Sequence, residues 1–174
     1  MMISKAIDGL SKEELKSSEV YLRAALATVE LEARLFFIEM AKEELKHART
    51  LLEMAPHVKG GAFDLAVTRG DLEAVGRTVD VALRAVRKAK GKDQLFTALL
   101  RMEKGEMNSI YESVLHLYTN QLLPRLGVET FRHSTEKHLA MLRQAGERFG
   151  LGPGLRRELS ELRVKALDYY KNIT

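Results

Sequence analysis

Hydrophobic positions recur every three or four residues along almost the whole chain, and no stretch alternates apolar and polar residues as a half-buried strand does. Between Gly9 and Pro56 there is neither glycine nor proline, and Leu, Ala, Glu, Lys and Arg dominate. One helix of that length would reach about 65 Å at ~1.5 Å per residue, so a turn must interrupt it. The pattern predicts helices over 11–27 and 29–55, turning between Thr28 and Leu31, with Thr28 as the helix-start residue and Glu30 and Glu32 complementing the dipole. Leu72, Val75, Val79, Leu83 and Val86 predict a crossover helix over 71–90. Two further helices are expected over 93–122 and 129–149, the second stopped by Gly150, Gly152 and Pro153. A terminal helix over 154–172 carries Leu155, Leu159, Leu162 and Ala166 on one face. The expected fold is all-α, a four-helix bundle with two extra helices, as one domain over 1–174.

Composition narrows the chemistry. The 174 residues include no cysteine, which excludes disulfides, thiolate zinc sites, cysteine nucleophiles and cysteine-ligated iron centres, so any metal must sit on carboxylates and imidazoles. The net charge of +4 is modest and its basic residues are dispersed, so no nucleic-acid partner is expected. The run Arg84, Arg87, Lys88, Lys90 and Lys92 reads as the basic end of a helix before Gly91. No apolar run approaches the ~20 residues of a membrane span, and Met1 to Leu10 lacks a signal-peptide pattern, so no membrane partner and a cytoplasmic location are expected.

Titratable groups interrupt the apolar stripes. Glu44 and His47 fall among Phe37, Met40, Ala41, Ala48 and Leu51. Glu103 and Glu106 break the stripe of Phe96, Leu99, Leu100, Met107 and Ile110. Thr135 and His138 share a stripe with Phe131, Leu142, Ala145 and Phe149, while His133 and Glu136 fall on the opposite, charged side. Glu14 shares a side with Ser18, Tyr21, Ala25 and Thr28, beside a stripe of Leu15, Leu22 and Leu26 expected to face the core. Glu14 or Glu44 alone reads at least as well as an ordinary surface acid, and His47 or His138 alone is more often a hydrogen-bonded core histidine than a ligand. Two glutamates three apart on one buried stripe are harder to accommodate, because each unpaired ion costs several kcal/mol; they need a cation, a proton or basic partners. A turn between Thr28 and Leu31 sets Glu14 opposite Glu44 and His47, and a turn near 120–122 sets Glu103 opposite His138, so the two hairpins look like a degenerate duplication.

These residues resemble the rubrerythrin or erythrin branch of the ferritin-like superfamily over roughly 11–56 and 93–149. Glu14 and Tyr21 match its first-helix pattern, Glu44-Leu45-Lys46-His47 its Glu-x-x-His motif, and Glu103, Glu106 and Tyr111 its third-helix pattern. The fourth helix departs from it: Thr135-Glu136-Lys137-His138 has threonine where the family has a bridging glutamate. A neutral hydroxyl cannot bridge two cations, and Glu136 is turned about 100° away.

The resemblance implies a ferritin-like four-helix bundle with a long helical crossover connection and an extra C-terminal helix. It also implies a non-haem di-metal site, with iron expected and manganese or zinc as alternatives, held by Glu14, Glu44, His47, Glu103, Glu106 and His138. Tyr21, Tyr111 and Thr135 would border those ligands, and no catalytic group beyond the metals is expected. The implied activity is peroxide reduction or ferrous iron oxidation. It would be carried by a homodimer served by a separate electron donor, since the cysteines of a rubredoxin domain are missing. Glu106 is expected to compensate for Thr135, giving an altered di-metal or a mononuclear site. The other outcome is a decayed site in a metal-free bundle that acts as an interaction or structural protein.

Overall fold

A computed structural model describes the backbone of residues 3–57, 69–106 and 125–171, and the side chains of 6–56, 70, 72–106 and 129–162. Among them every regular element is helical: α1 (Ile3–Ala27), α2 (Leu31–Met54), a 3-10 turn (Ala55–His57), α3 (Arg69–Lys88), α4 (Lys92–Glu106), α5 (Arg125–Arg148) and α6 (Pro153–Lys171). No helix among the described residues is long and apolar enough to cross a membrane. Tyr111, the apolar positions after Glu106, the expected end of that helix at 122 and the expected turn near 120–122 lie outside the described residues.

α1 begins earlier than the 11–27 expected from its pattern. Ala6, Ile7 and Leu10 are fully buried, and that burial outweighs the roughly 1 kcal/mol that Gly9 costs inside a helix. The break between α1 and α2 falls at residues 28–30, but the residue preceding α2 is Glu30 and not Thr28, and its side chain makes no capping bond. Thr28 is buried, and its carbonyl oxygen accepts a hydrogen bond from Arg34 Nη2 at 2.9 Å. α5 closes on Gly150 at φ 61, with Leu151 N donating to Gly146 O and Gly150 N to Glu147 O, the paired bonds of a Schellman stop. Pro153 then opens α6, where its missing N–H costs nothing.

α1 packs along α2 and α3, α3 along α4, α2 along α5, and α6 against α5 and α4. Phe36, Phe37, Phe96 and Phe149 meet with ring centroids 5.3 to 5.9 Å apart and fill one end of the core. α1 differs from expectation in which face it buries. Leu15 and Leu22 are 44% exposed and Leu26 75%, whereas Ile7, Leu10, Glu14, Ser17 and Tyr21 point inward.

Two contacts fix the helices that carry the inward acids. Gly105 lies where α4 meets α3: a Cβ there would sit 2.6 Å from Thr78 Cγ2 and 3.1 Å from Thr78 Cβ. A β-branched side chain cannot swing away. Gly105→Ala is therefore expected to lower stability by about 1–2 kcal/mol despite alanine's better helix propensity, read as a fall in Tm of several degrees.

Glu43 joins α2 to α5. It is 2% exposed, and its Oε1 accepts from Lys46 and Lys137, each at 2.7 Å. Burial raises its carboxyl, but the bonds from Lys137 and Lys46 outweigh that and bring it from 4.5 down to about 2. A depressed acid stabilises the fold above its unfolded value and loses that contribution as the pH falls through its folded value. Both lysines are 57% exposed, which screens the pair. Glu43→Gln should thus cost on the order of 2 kcal/mol at neutral pH, with the two denaturation curves converging between pH 4.5 and about 2.

Candidate metal centre

Helical periodicity brings the polar interruptions together. Glu14 and Tyr21 are seven residues apart on α1, with Ser17 between them; Glu44 and His47 on α2, Glu103 and Glu106 on α4, and Thr135 and His138 on α5 are each three apart. All of these side chains point into the same interior. Glu14, Glu44, His47, Glu103, Glu106 and His138 are each 2% exposed or less. His133 is exposed and Glu136 half-buried, so neither belongs to the buried cluster.

The contacts are unequal. Glu103 is the best-held acid: its Oε1 accepts from Tyr21 at 2.5 Å and lies 2.9 Å from His138 Nε2. Glu106 accepts a hydrogen bond from Ser17. His47 Nδ1 lies 3.2 Å from Glu44 Oε2 and 3.5 Å from Glu14 Oε2, and His138 Nε2 lies 3.4 Å from Glu44 Oε1. The two imidazoles are 5.5 Å apart by ring centroid. Both oxygens of Glu14, Glu44 Oε1, His47 Nε2 and His138 Nδ1 have no hydrogen-bond partner among the described residues. A buried polar atom left in that state costs about 1–3 kcal/mol, and more when it belongs to a charged group.

Electrostatics separates the acids. Burial pushes the Glu44 carboxyl well above the usual range, and Glu103, Glu14 and Glu106 push it further. Burial does the same to Glu106, reinforced by Glu103 and Glu14 and opposed by the bond from Ser17. Burial also raises Glu103, but His138, Tyr21 and His47 outweigh it and leave that carboxyl below its ordinary value. The Tyr21 phenol is pushed well up by burial, then by Glu103 and Glu44, and so remains a donor. Without a cation, the cluster therefore has one anchored carboxylate and at least two acids whose charge the fold disfavours.

The donor set fits a metal. Ligand atoms of Glu44, His47 and His138 lie within 4.8 Å of one another, as do those of Glu44, Glu103 and Glu106, and either group could hold an ion. Glu44 is common to both. Oxygen and imidazole donors suit iron, manganese and zinc, and four carboxylates balance two divalent charges.

Thr135 is fully buried, but its hydroxyl donates to Phe131 O of its own helix at 2.8 Å. Ser17 was not singled out from the sequence, although its spacing between Glu14 and Tyr21 placed it on their face. Comparison with family models, with curated proteins and with solved structures gives no match.

Proposed function

We propose that the protein is a rubrerythrin-like non-haem di-metal protein of ferritin-like four-helix architecture, and that it reduces hydrogen peroxide or oxidises ferrous iron. One observation carries the reading: four helices converge four carboxylates and two imidazoles in a nearly inaccessible interior, with several of their atoms lacking a hydrogen-bond partner among the described residues. Glu44, His47 and His138 would hold one ion and Glu44, Glu103 and Glu106 the other, with Glu14 beside His47. Held there, two ferrous ions would supply the electrons that peroxide or dioxygen takes up. The chain's own residues orient and insulate that site. Tyr21 fixes Glu103 and Ser17 fixes Glu106, so two of the acids are aimed before any ion arrives. Burial keeps bulk water away, and the fold's preference for protonated Glu44 and Glu106 means that loading releases protons. With no cysteine in the chain, electrons would come from a separate donor.

A metal-free interaction bundle is the competing reading, favoured by the hydrogen bonds that already serve Glu103 and Glu106. Glu14 weighs against it, because a purely structural core has little use for a buried acid that approaches His47 at 3.5 Å and has, among the described residues, no hydrogen-bond partner for either oxygen.

Elemental analysis of protein purified without an affinity tag, then loaded anaerobically with ferrous iron and washed with chelator, is expected to find about two ions per chain. None retained would retire the reading; manganese or zinc in place of iron would redirect the activity assays.

A further inference from the structure

Over much of the surface, cations are answered by an acid of the same chain: Arg23, Arg49, Arg148 and Arg157 each pair with a glutamate. Arg77 on α3 and Arg101 on α4 are exposed and have no ion pair or hydrogen bond among the described residues. Both line one cleft between α3 and α4, of about 470 Å³, a volume within the ~300–1,000 Å³ of small-molecule sites. Neither belongs to the basic run that ends α3. Thr78, also in the lining, donates its hydroxyl to Ala74 O at 3.1 Å, so the two guanidiniums are the free polar groups of the cleft. The wider setting is basic: seven basic and three acidic residues between 69 and 92 give that segment an excess as large as the net +4 of the whole chain. The rest of the cleft is apolar. Thr78 meets Gly105 where the antiparallel helices touch, which sets Arg101 level with Ala82 and Ala98 level with Ala85. Arg77 and Arg101 then stand about a turn and a half apart on opposite walls, near enough for their long stems to reach one group above Thr78. Beyond it the floor runs about 10 Å from Thr78 to Ala85 at ~1.5 Å per residue, over buried Ala82 and Ala98 and beside Val81, which is 48% exposed.

We propose that this cleft binds a medium-chain fatty acid, its carboxylate held between Arg77 and Arg101 and its alkyl chain lying along Val81, Ala82, Ala85 and Ala98. Charge selects the head: guanidinium groups with no internal partner match an anion, and their planar forks match a carboxylate in particular. The walls select the body, because alanine and valine side chains offer a polar ligand nothing to replace its lost water, whereas an alkyl chain gains by leaving water there. Both lining cations stand toward one end, which suits a single head group better than the repeated charges of an acidic helix or the breadth of a membrane. The cleft opens to solvent past Arg77, Val81 and Arg101, and the proposal does not depend on the metal reading.

Isothermal titration of the full chain with sodium decanoate tests it. One decanoate is expected to bind per chain at submillimolar concentration. Octanoate should bind about fourfold or more weakly, as the loss of buried methylenes requires, and decyltrimethylammonium, with the opposite charge on the same chain, should give no binding over that range. Added salt should weaken decanoate, because its head group is paired at an exposed site. Arg77→Gln combined with Arg101→Gln changes two surface side chains and should weaken decanoate about tenfold or more while the helical melt stays in place. Ala85→Leu fills the apolar end, keeps both cations and should weaken it by a similar factor; should that variant fail to fold, the arginine pair still decides. Absence of decanoate binding, equal binding of decyltrimethylammonium, or an unchanged affinity in either folded variant would each overturn the proposal. So would binding to phosphatidylglycerol vesicles without binding of decanoate, which would mean that the cations serve a membrane surface.

Discussion

Metal-stripped protein is expected to gain stability as the pH is lowered from about 8 to about 5.5, while the metal-loaded protein loses it over the same interval. The sign follows from the acids of the centre. Burial and neighbouring carboxylates raise Glu44 and Glu106 in the folded chain. Above their unfolded value the native state therefore binds more protons than the unfolded state, so stability falls as the pH rises through that window. The depressed acids act elsewhere: the window of Glu43 lies between 4.5 and about 2, below the interval tested. A divalent ion reverses the slope because it binds carboxylates only after they lose their protons, and whatever binds the folded state alone stabilises it. Urea denaturation at several pH values measures both slopes. The change in the stripped protein should be on the order of 2 kcal/mol, as expected when buried unpaired acids are relieved of their charge. Glu44→Gln should raise the stability of the stripped protein at pH 8 and flatten its slope, and should also remove the stabilisation by added metal. A wild-type chain whose stripped and loaded forms share one pH profile would show that the cluster binds no cation.

The parts of this arrangement that were readable from the sequence share a physical feature. In α2, α4 and α5 the inward acids and histidines are flanked by large apolar residues at three- and four-residue spacing, so periodicity alone placed Glu44, His47, Glu103, Glu106 and His138 inside. In α1 the same reasoning chose the wrong stripe. Leu15, Leu22 and Leu26 share a face as surely as core leucines do, but periodicity does not say what covers a face, and this one lies outward beside the exposed leucines of α2. The true inward stripe is carried by Ile7, Leu10 and Tyr21, with Glu14 and Ser17 among them, and its polar content disguised it. Glu43 was missed for a different reason. Next to Glu44 on a charged helix it looks like a surface residue, and only the approach of Ser134 and Lys137 from α5 buries it. A tertiary contact of that kind leaves no local trace in the chain.

Moving a carboxylate from α4 to α5 should move metal retention with it. Glu106→Gln removes one of the four carboxylates of the centre without changing side-chain volume, and leaves Ser17 a hydrogen-bonding partner. Three carboxylates no longer balance two divalent ions, so retention after a chelating wash should fall from about two ions per chain to about one, with affinity for the second down a hundredfold or more. Thr135 is fully buried three residues before His138, one helical turn along the same face. Thr135→Glu therefore offers a carboxylate from α5 to the same interior. Alone it is expected to destabilise the stripped protein by about 3 kcal/mol, because a fifth acid enters the centre beside Glu44 and Glu106, already held above their ordinary range, and the bond to Phe131 is lost. Combined with Glu106→Gln it restores the count of four, and retention should return to about two ions while the penalty in the stripped protein shrinks. Elemental analysis and denaturation of the four proteins separate the contributions. Recovery in the double variant would mean that the centre tolerates its fourth carboxylate from either helix, so that Glu106 offsets the threonine by charge. Failure of the double variant, with Glu106→Gln already deficient, would mean that Glu106 acts through its position beside Ser17.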